Sequence, residues 1–242
     1  MNLVLIETGE IDPTGNVRLS GTRAAHLKAV LHVERGQDIR IGVVDGPRGT
    51  ATVLSIADDG VALRCTLDTT MPQRPSIDLL LALPRPKVMR RLWAQLAALG
   101  VGRIILTNAE KVERNYFDTH VLAEDTYRPL LIEGLQQARD TRLPVVSIHR
   151  QFKVLIEDQL DDLFGAGLRI VADPSAKAPL SEVVRGSEER ILLAIGPEGG
   201  WNAFELSLLD AHGFRPAGMG PRTLRTDTAC VALLALAAQR GR

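Results

Sequence analysis

The residue types best suited to chemistry occur in two glycine-bearing loops near the end of the chain. The first loop covers residues 196–200 (G-P-E-G-G), and the second covers residues 218–228 and contains Arg222 and Arg225. Glycines let backbone N–H and C=O groups approach a ligand closely, and a helix that begins after each loop favours a negatively charged group there. The two loops are therefore predicted to bind a small molecule largely through backbone groups.

Several common binding motifs do not occur in the sequence. Neither G-x-G-x-x-G nor G-x-x-x-x-G-K-[ST] is present, so a dinucleotide or a nucleoside triphosphate is not the predicted ligand. Cys65 and Cys230 lie far apart without the spacing of metal ligands, which predicts packing thiols and no metal site. A plainer interpretation of the glycines also stays open, in which they only end their strands.

The elements that must position these loops follow from the local sequence. The apolar run Ile191–Ile195 predicts a buried strand in front of the first loop. Asn202, followed three residues later by Glu205, predicts a capping box at the start of the next helix. The second loop leads into a final helix rich in alanine and leucine, for which Thr226 or Asp227 is the expected N-cap.

The rest of the chain changes character near residue 70. Before that point, runs rich in β-branched residues predict strands at residues 3–6, 38–44, 51–56 and 61–67, with a helix at residues 22–31. Residues 68–76 contain two prolines among polar residues and are the predicted linker. Strands and helices then alternate, which is typical of a parallel α/β sheet. The strands cover residues 77–83, 103–107 and 168–172, and the helices cover residues 88–99, 127–138, 152–164 and 180–184.

Composition is that of a globular protein without a membrane segment. The 242 residues are 45% hydrophobic with a formal net charge of +0, so charge alone does not indicate a nucleic-acid partner. No apolar run reaches the ~18 residues of a membrane span. The N-terminus has no basic region typical of a signal peptide, so a cytoplasmic protein is predicted. Residues 74–150 contain 12 Lys and Arg against 8 Asp and Glu, which indicates a local basic surface or an ordinary solvated face.

The C-terminal sequence carries a longer pattern than either loop alone. G-P-E-G-G-W-x-x-x-E, then G-F, then M-G-P-R-T-L-R-T-D-T-A resembles the signature of the ribosomal RNA small subunit methyltransferase E family. Those enzymes use S-adenosylmethionine to methylate N3 of one uridine in 16S ribosomal RNA, and they belong to the SPOUT superfamily. The resemblance extends over nearly the whole chain and departs from the family's pattern at His32, Ala98 and Gln136.

The resemblance implies an architecture and a set of partners. A PUA-like β-barrel that binds RNA is expected over residues 1–70, followed over residues 71–242 by a SPOUT-type α/β domain with a trefoil knot. Family members form homodimers through the last helix, and the apolar character of residues 229–238 on several faces agrees with that. The implied partners are ribosomal RNA or the assembled small ribosomal subunit, with no metal and no membrane.

The implied cofactor, S-adenosylmethionine, presents an adenine edge, a ribose diol and a zwitterionic methionine tail. Backbone groups of tight loops suit the adenine, and a helix N-terminus suits the carboxylate. By the resemblance, the expected contacts are residues in or beside the two loops, together with the last residue of the strand at residues 168–172. They are Ala172, Ile195, Gly196, Pro197, Gly200, Met219, Gly220, Leu224, Thr228 and Ala229.

The implied reaction assigns roles to charged residues of the same loops. Uracil N3 carries a proton and becomes a good nucleophile only when that proton leaves. A guanidinium beside the resulting anion would lower the barrier, with Arg225 as the first candidate and Arg222 as the second. Glu198 would either accept the proton through water or orient Arg225. A structural alternative pairs these arginines with Glu198 or Asp227.

Basic residues from both expected domains are candidates for RNA contacts. They are Arg23, Lys28, Arg85, Lys87 and Arg142. Trp201 follows the first loop and is a candidate to stack on a flipped base, whereas His26 and His120 are interpreted as structural or surface residues. Two other functions stay open, namely the same cofactor chemistry on a different RNA nucleotide and a non-catalytic RNA-binding protein that kept the fold.

Overall fold

The computed structural model describes residues 3–220 and 222–240. These residues divide into two compact units. The smaller unit contains the described residues up to Arg74 together with Ile132–Leu143, and the larger unit contains Pro75–Leu131 and the described residues from Pro144 onward. Helix Glu124–Ala138 therefore contributes its first part to the larger unit and its second part to the smaller one.

The smaller unit is built on a five-stranded sheet in the order β1-β3-β4-β5-β2. Its strands are β1 (Val4–Ile6), β2 (Asn16–Leu19), β3 (Asp38–Val43), β4 (Arg48–Ala57) and β5 (Gly60–Leu67), and helix α1 is Gly21–Ala29. Strands β1 and β3 are parallel, and the other neighbours are antiparallel. One face buries alternate side chains such as Leu19, Ile41 and Leu63, because successive residues of a strand point to opposite faces.

The predicted strands and helix of this unit are confirmed, and two differences have a local cause. Strand β2 was not predicted, because Val17 is its only β-branched residue and its pairing with β5 supplies the missing stabilisation. Strand β4 begins three residues before the predicted strand and includes Gly49. A Cβ at Gly49 would lie 2.1 Å from the Thr66 carbonyl oxygen, so the close approach of β5 requires a glycine there.

The larger unit is an α/β unit with a six-stranded sheet in the order β11-β9-β10-β6-β7-β8, and every neighbouring pair is parallel. This confirms the predicted parallel sheet. The strands are β6 (Ile77–Ala82), β7 (Val101–Thr107), β8 (Val145–His149), β9 (Leu168–Ala172), β10 (Ile191–Ile195) and β11 (Arg215–Ala217). All residues of β6 and β10 are buried, as expected for central strands covered on both faces. Edge strands β8 and β11 were not predicted, and Pro216 inside β11 is tolerated because an edge strand has one unpaired side.

The helices of the larger unit are α2 (Pro86–Ala98), α3 (Glu124–Ala138), α4 (Phe152–Val154), α5 (Leu160–Phe164), α6 (Leu180–Val183), α7 (Ala203–Ala211) and α8 (Thr226–Ala238). Most of them lie between these strands in the chain, whereas α8 follows the last strand and α3 continues into the smaller unit. The single helix predicted over residues 152–164 is interrupted by a π-helical segment, Leu155–Gln159. Helix α8 packs against α2, α6, β6 and β10, so it covers the middle of the sheet. No helix in the described part of the chain is long and apolar enough to cross a membrane.

The predicted N-cap of α8 was wrong. Thr226 and Asp227 both lie inside the helix, and the N-cap is Arg225, with an extended backbone and no side-chain capping bond. Thr226 is only 4% exposed, so its side chain packs into the protein and is not turned back to cap the helix. The helix therefore begins directly after the second glycine-bearing loop.

Both cysteines are free thiols, in agreement with the interpretation as packing residues. Cys65 is half-buried in the smaller unit, and Cys230 is buried in α8. Burial raises the pKa of the Cys65 thiol, and it raises the pKa of the Cys230 thiol to about 12. Both side chains are therefore thiols at neutral pH, and a nucleophilic role for Cys230 is not supported.

Candidate functional site

A cavity lies at the carboxyl ends of β9, β10 and β11, which are three successive strands of the sheet with β9 in the middle. In open parallel sheets, the carboxyl ends of the strands are where ligands usually bind. The chain leaves β10 toward β11 on one side of the sheet, whereas it leaves the neighbouring β6 toward β7 on the other side. The cavity is thus next to a point where the strand order reverses, which opens a crevice between loops.

The first glycine-bearing loop forms one wall of the cavity. Its tight turn is closed by the N–H of Gly200, which donates to the Pro197 carbonyl at 2.8 Å, and Gly200 has a φ of 70°. That conformation is costly for residues with a Cβ. The predicted capping box is confirmed: Asn202 Oδ1 accepts the Glu205 N–H at 2.8 Å, and Glu205 Oε2 accepts the Asn202 N–H at 2.7 Å. The turn is therefore fixed directly in front of α7.

Glu110 and Lys111, which follow β7, form hydrogen bonds that hold this loop in place. Glu205 is 3% exposed, and its Oε1 accepts the backbone N–H of Glu110 at 2.7 Å. Lys111 Nζ donates to the Gly199 carbonyl at 2.7 Å. The lysine stem lies over the turn, because a Cβ at Gly199 would be 2.7 Å from Lys111 Cδ. Sequence reasoning missed both contacts, since they join positions 95 and 88 residues apart.

The second glycine-bearing loop forms the opposite wall. Gly218 donates to the Ala178 carbonyl at 3.0 Å and accepts the Leu180 N–H at 2.8 Å, which ties the loop to the start of α6. A Cβ at Gly218 would lie 3.2 Å from the Asp173 carbonyl oxygen. Gly220 has a φ of 100°, a conformation that side chains strongly disfavour. The loop is therefore held close to the end of β9 by backbone contacts that need glycine.

Nine of the ten residues expected to contact a cofactor line this one cavity. They are Ala172, Ile195, Gly196, Pro197, Gly200, Met219, Gly220, Leu224 and Ala229. Thr228 is not among the lining residues and is exposed in the first turn of α8. The cavity is also lined by residues that were not among the ten expected contacts. Asp173 is one of them, and its position directly after strand β9 was the available signal. The additional lining residues are Asp173, Pro174, Trp201, Leu206, Ala217, Gly218, Thr223, Thr226 and Leu233.

The three candidate catalytic residues differ in their placement. Glu198 and Arg222 line the cavity, and Glu198 Oε1 accepts the backbone N–H of Arg85 at 3.3 Å. Arg225 is exposed at the N-cap of α8 and is not among the lining residues. Asp227 is bonded to Arg91, with Nη2 and Oδ2 2.9 Å apart. The structural alternative paired Arg222 or Arg225 with Asp227. In the structure the partner of Asp227 is Arg91.

The five candidate RNA-binding residues fall into two groups. Arg85 and Lys87 are exposed at the start of α2. Arg23 donates to Glu10, with Nη1 and Oε2 2.9 Å apart, and this hydrogen bond lowers the pKa of the Glu10 carboxyl. Lys28 donates to two backbone carbonyls of the β4–β5 turn, at 3.0 and 3.1 Å. Arg142, whose side chain is 13% exposed, donates through Nε to the Pro72 carbonyl at 2.6 Å.

Trp201 is not placed to stack on a flipped base. It is 8% exposed and packs against Phe152, with ring centroids 5.2 Å apart. This corrects the expectation from its position after the first loop, because the indole turns inward beneath the turn. In the part of the chain that the structure describes, no cluster of three or more His, Cys, Asp or Glu side chains could hold a metal ion.

Comparison with known proteins points to one group of enzymes. A family model described as an RNA methyltransferase domain matches residues 72–238. Over 243 residues the chain is 30% identical to ribosomal RNA small subunit methyltransferase E of Treponema pallidum (strain Nichols), covering 98% of this chain and 90% of that protein. It is 25% identical over 241 residues to ribosomal RNA small subunit methyltransferase E 1 of Borreliella burgdorferi, covering 99% of this chain and 98% of that protein.

The fold is also similar to that of a solved structure. That structure is ribosomal RNA small subunit methyltransferase E of Neisseria gonorrhoeae bound to S-adenosylmethionine, with a TM-score of 0.77. The two sequences are 20% identical, and the match covers 97% of this chain and 95% of the other. At this level of identity the similarity concerns the fold.

Proposed function

Because the chain belongs to the ribosomal RNA small subunit methyltransferase E family, we propose that it transfers the methyl group of S-adenosylmethionine to N3 of a uridine in 16S ribosomal RNA. The observation that carries the proposal is the cavity at the ends of β9, β10 and β11, because residues from both glycine-bearing loops line it. The substrate is free ribosomal RNA or the assembled small subunit, and the reaction takes place in the cytoplasm.

The residues of the cavity fit S-adenosylmethionine in chemistry. The cavity is open to solvent and is bounded by the glycines of both loops, so a ligand can contact their backbone closely. Arg222 offers a positive charge for the methionine carboxylate, and the backbones of both loops offer donors and acceptors for adenine and ribose. When bound, the cofactor supplies an electrophilic methyl group. The protein has to orient the uracil and to manage the proton on its N3.

Glu198 and Arg225 are the residues to which we assign the uracil chemistry. The Oε1 atom of Glu198 accepts the Arg85 N–H, which leaves Oε2 to accept the N3 proton, directly or through a water molecule. Removal of that proton places negative charge on the uracil carbonyl oxygens. The guanidinium of Arg225 stabilises this charge, and Arg222 in the cavity wall is the alternative for the same role.

The proposal extends to the domain organisation and to the chain path. The five-stranded sheet of the smaller unit would be the PUA-like RNA-binding module of residues 1–70, and residues 71–242 would be the SPOUT-type domain. Helix α8, which covers β6 and β10, would pass through the loop that holds residues 196–200 and close a trefoil knot. An experimental chain trace in which α8 passes outside that loop would remove the knot from the proposal.

A homodimer through α8 is a further part of the proposal. Exposed apolar side chains near the start of α7 and around α8 support it, with exposures of 57% for Phe204, 37% for Leu224 and 37% for Val231. We expect a dimer at micromolar concentration in sedimentation, and we expect Val231→Asp to dissociate it because a buried unpaired carboxylate is costly. Val145→Asp on edge strand β8, where the side chain is 45% exposed, is the matched control. A monomeric wild-type protein would contradict the dimer.

RNA binding is expected to depend on the exposed basic residues at the start of α2. With a net charge of +0 the protein has little long-range attraction for RNA, so local phosphate contacts should dominate. Arg85→Glu combined with Lys87→Glu should weaken RNA binding and lower the slope of log affinity against log salt by about 2. The cofactor affinity should stay unchanged.

Filter binding at several salt concentrations measures that slope. The control is the charge-matched pair Lys153→Glu and Arg185→Glu, because both residues are exposed in the larger unit and neither lines the cavity. An RNA affinity unchanged in the Arg85 and Lys87 variant would place the RNA surface elsewhere. In that case these charges would form an ordinary solvated face.

The target nucleotide itself is tested by mapping the modification. RNA from a strain that lacks the gene should have lost one N3-methyluridine in 16S ribosomal RNA, which reverse transcription detects because the methyl group blocks base pairing. In the wild type the methylated base stops reverse transcription at that position. Reintroducing the gene into the deletion strain should restore this stop. Loss of a modification on another nucleotide would keep the cofactor chemistry and change the substrate. A strain with all modifications intact would favour the non-catalytic RNA-binding alternative.

A further inference from the structure

Trp201 combines two properties that are rarely found together. It is 8% exposed, and its indole N–H is buried without a hydrogen-bond partner among the described residues. The other tryptophan shows the usual arrangement, because Trp93 donates through Nε1 to the Val121 carbonyl at 3.1 Å. A buried donor without an acceptor is unfavourable and calls for a partner that the protein alone does not supply.

The location of the unpartnered N–H indicates what that partner is. Trp201 lines the cavity at the end of β10, and packing against Phe152 fixes the plane of its ring. A Cβ at Gly196 would lie 3.2 Å from both Nε1 and Cδ1 of Trp201. The pyrrole edge of the indole therefore lies against Gly196, a residue without a side chain that itself lines the cavity.

We propose that Trp201 is a cofactor-binding residue whose indole N–H donates a hydrogen bond to an acceptor atom in the adenosine part of S-adenosylmethionine. The proposal rests on the proposed function, because it takes the cofactor of that reaction as the occupant of the cavity. The adenosine part is the suitable partner, since its ring nitrogens and ribose oxygens are neutral acceptors that match a neutral donor in apolar surroundings. The carboxylate of the methionine tail is matched by the charged Arg222 on the cavity wall.

Two variants separate this contact from a general effect on packing. Trp201→Phe keeps an aromatic ring against Phe152 and removes the N–H, and Trp93→Phe removes the N–H whose partner is the Val121 carbonyl. Calorimetry with S-adenosylmethionine and with 5′-methylthioadenosine, which lacks the amino-acid part, measures the affinity of each variant. Trp201→Phe should weaken both ligands by the same factor of about five, and Trp93→Phe should leave both affinities within twofold of the wild type.

A measurement on the wild-type protein observes the Trp201 N–H directly and needs a variant only to assign the signal. The chain has two indole N–H groups, and the NMR signal that disappears in Trp93→Phe identifies one of them. Saturation with S-adenosylmethionine should move the Trp201 signal downfield, as a newly formed hydrogen bond does, while the Trp93 signal stays in place.

Three results would overturn the inference. They are a Trp201 indole signal that does not move downfield, a Trp201→Phe affinity equal to that of the wild type, and a loss of affinity for S-adenosylmethionine that 5′-methylthioadenosine does not share. The failure of the proposed function has a different signature, because a wild-type protein that binds no S-adenosylmethionine would fail in the first titration. Normal binding by the wild type with any of the three results rejects only the role of Trp201.

Discussion

Arg225→Ala should lower the rate of methyl transfer by roughly 10²–10³, the usual loss when a donor that stabilises developing charge is removed. The affinity for S-adenosylmethionine should stay within about twofold, because the guanidinium meets the uracil anion in the transition state and has no such partner in the ground state. Arg225 is exposed and is not among the residues that line the cavity, which agrees with a role toward RNA rather than toward the cofactor.

The structure indicates that Arg225→Ala should remove the guanidinium without disturbing helix α8. Arg225 is the N-cap of α8, yet its side chain makes no capping bond, so alanine should leave the start of the helix intact. Single-turnover rates with saturating RNA measure the chemical step, and calorimetry measures the cofactor affinity. Arg185→Ala, which removes another exposed arginine of the same unit, is the matched control. A decrease smaller than about tenfold would make Arg225 structural and pass the role to Arg222.

Gly200→Val should reduce the affinity for S-adenosylmethionine by more than about tenfold. Gly200 has a φ of 70° in the turn that its N–H closes to the Pro197 carbonyl at 2.8 Å. A left-handed backbone costs roughly 1–2 kcal/mol for residues with a Cβ and is worse for a β-branched one. The turn is expected to relax away from this conformation, which moves the cavity wall that Gly196, Pro197 and Gly200 form.

Gly100→Val provides a control with nearly the same local geometry. Gly100 has a φ of 74° at the end of α2, and at both glycines an added Cβ would meet no atom of the described residues within 4 Å. Both substitutions should lower the free energy of unfolding by a similar amount in a denaturant titration, whereas Gly200→Val alone should lose cofactor affinity. Equal cofactor affinities in the two variants would show that the backbone of the first loop does not determine the site.

Local sequence patterns were sufficient to locate the walls of the cavity. The capping box of Asn202 and Glu205 spans three residues, and strand β10 is a continuous apolar run, so both depend only on neighbours in the chain. Nine expected contact residues line the same cavity because the loops after parallel strands meet at one edge of a sheet. In such a sheet, a loop that follows a strand must lie at the carboxyl end of that strand, so identifying the strand also locates the loop.

Elements whose stability comes from partners were harder to predict. Strand β2 has a single β-branched residue, and β11 contains Pro216, so neither has a strong preference of its own. Each forms because a longer strand, β5 or β9, offers its edge for pairing. The N-cap of α8 was misplaced for a related reason, since burial of Thr226 outweighs its preference for a capping position.

The sequence by itself determined the two glycine-bearing loops, the parallel sheet that carries them and the type of ligand they suit. Only the tertiary structure decided which side chains remain available for function. Arg23, Lys28, Arg85, Lys87 and Arg142 are equivalent in composition, yet three of them donate to groups within the smaller unit while Arg85 and Lys87 are exposed. The contacts of Glu110 with Glu205 and of Lys111 with Gly199 likewise join distant positions. Hydrogen bonds require atoms to meet in space, and for residues far apart in the chain that meeting is set by the fold and not by the local pattern.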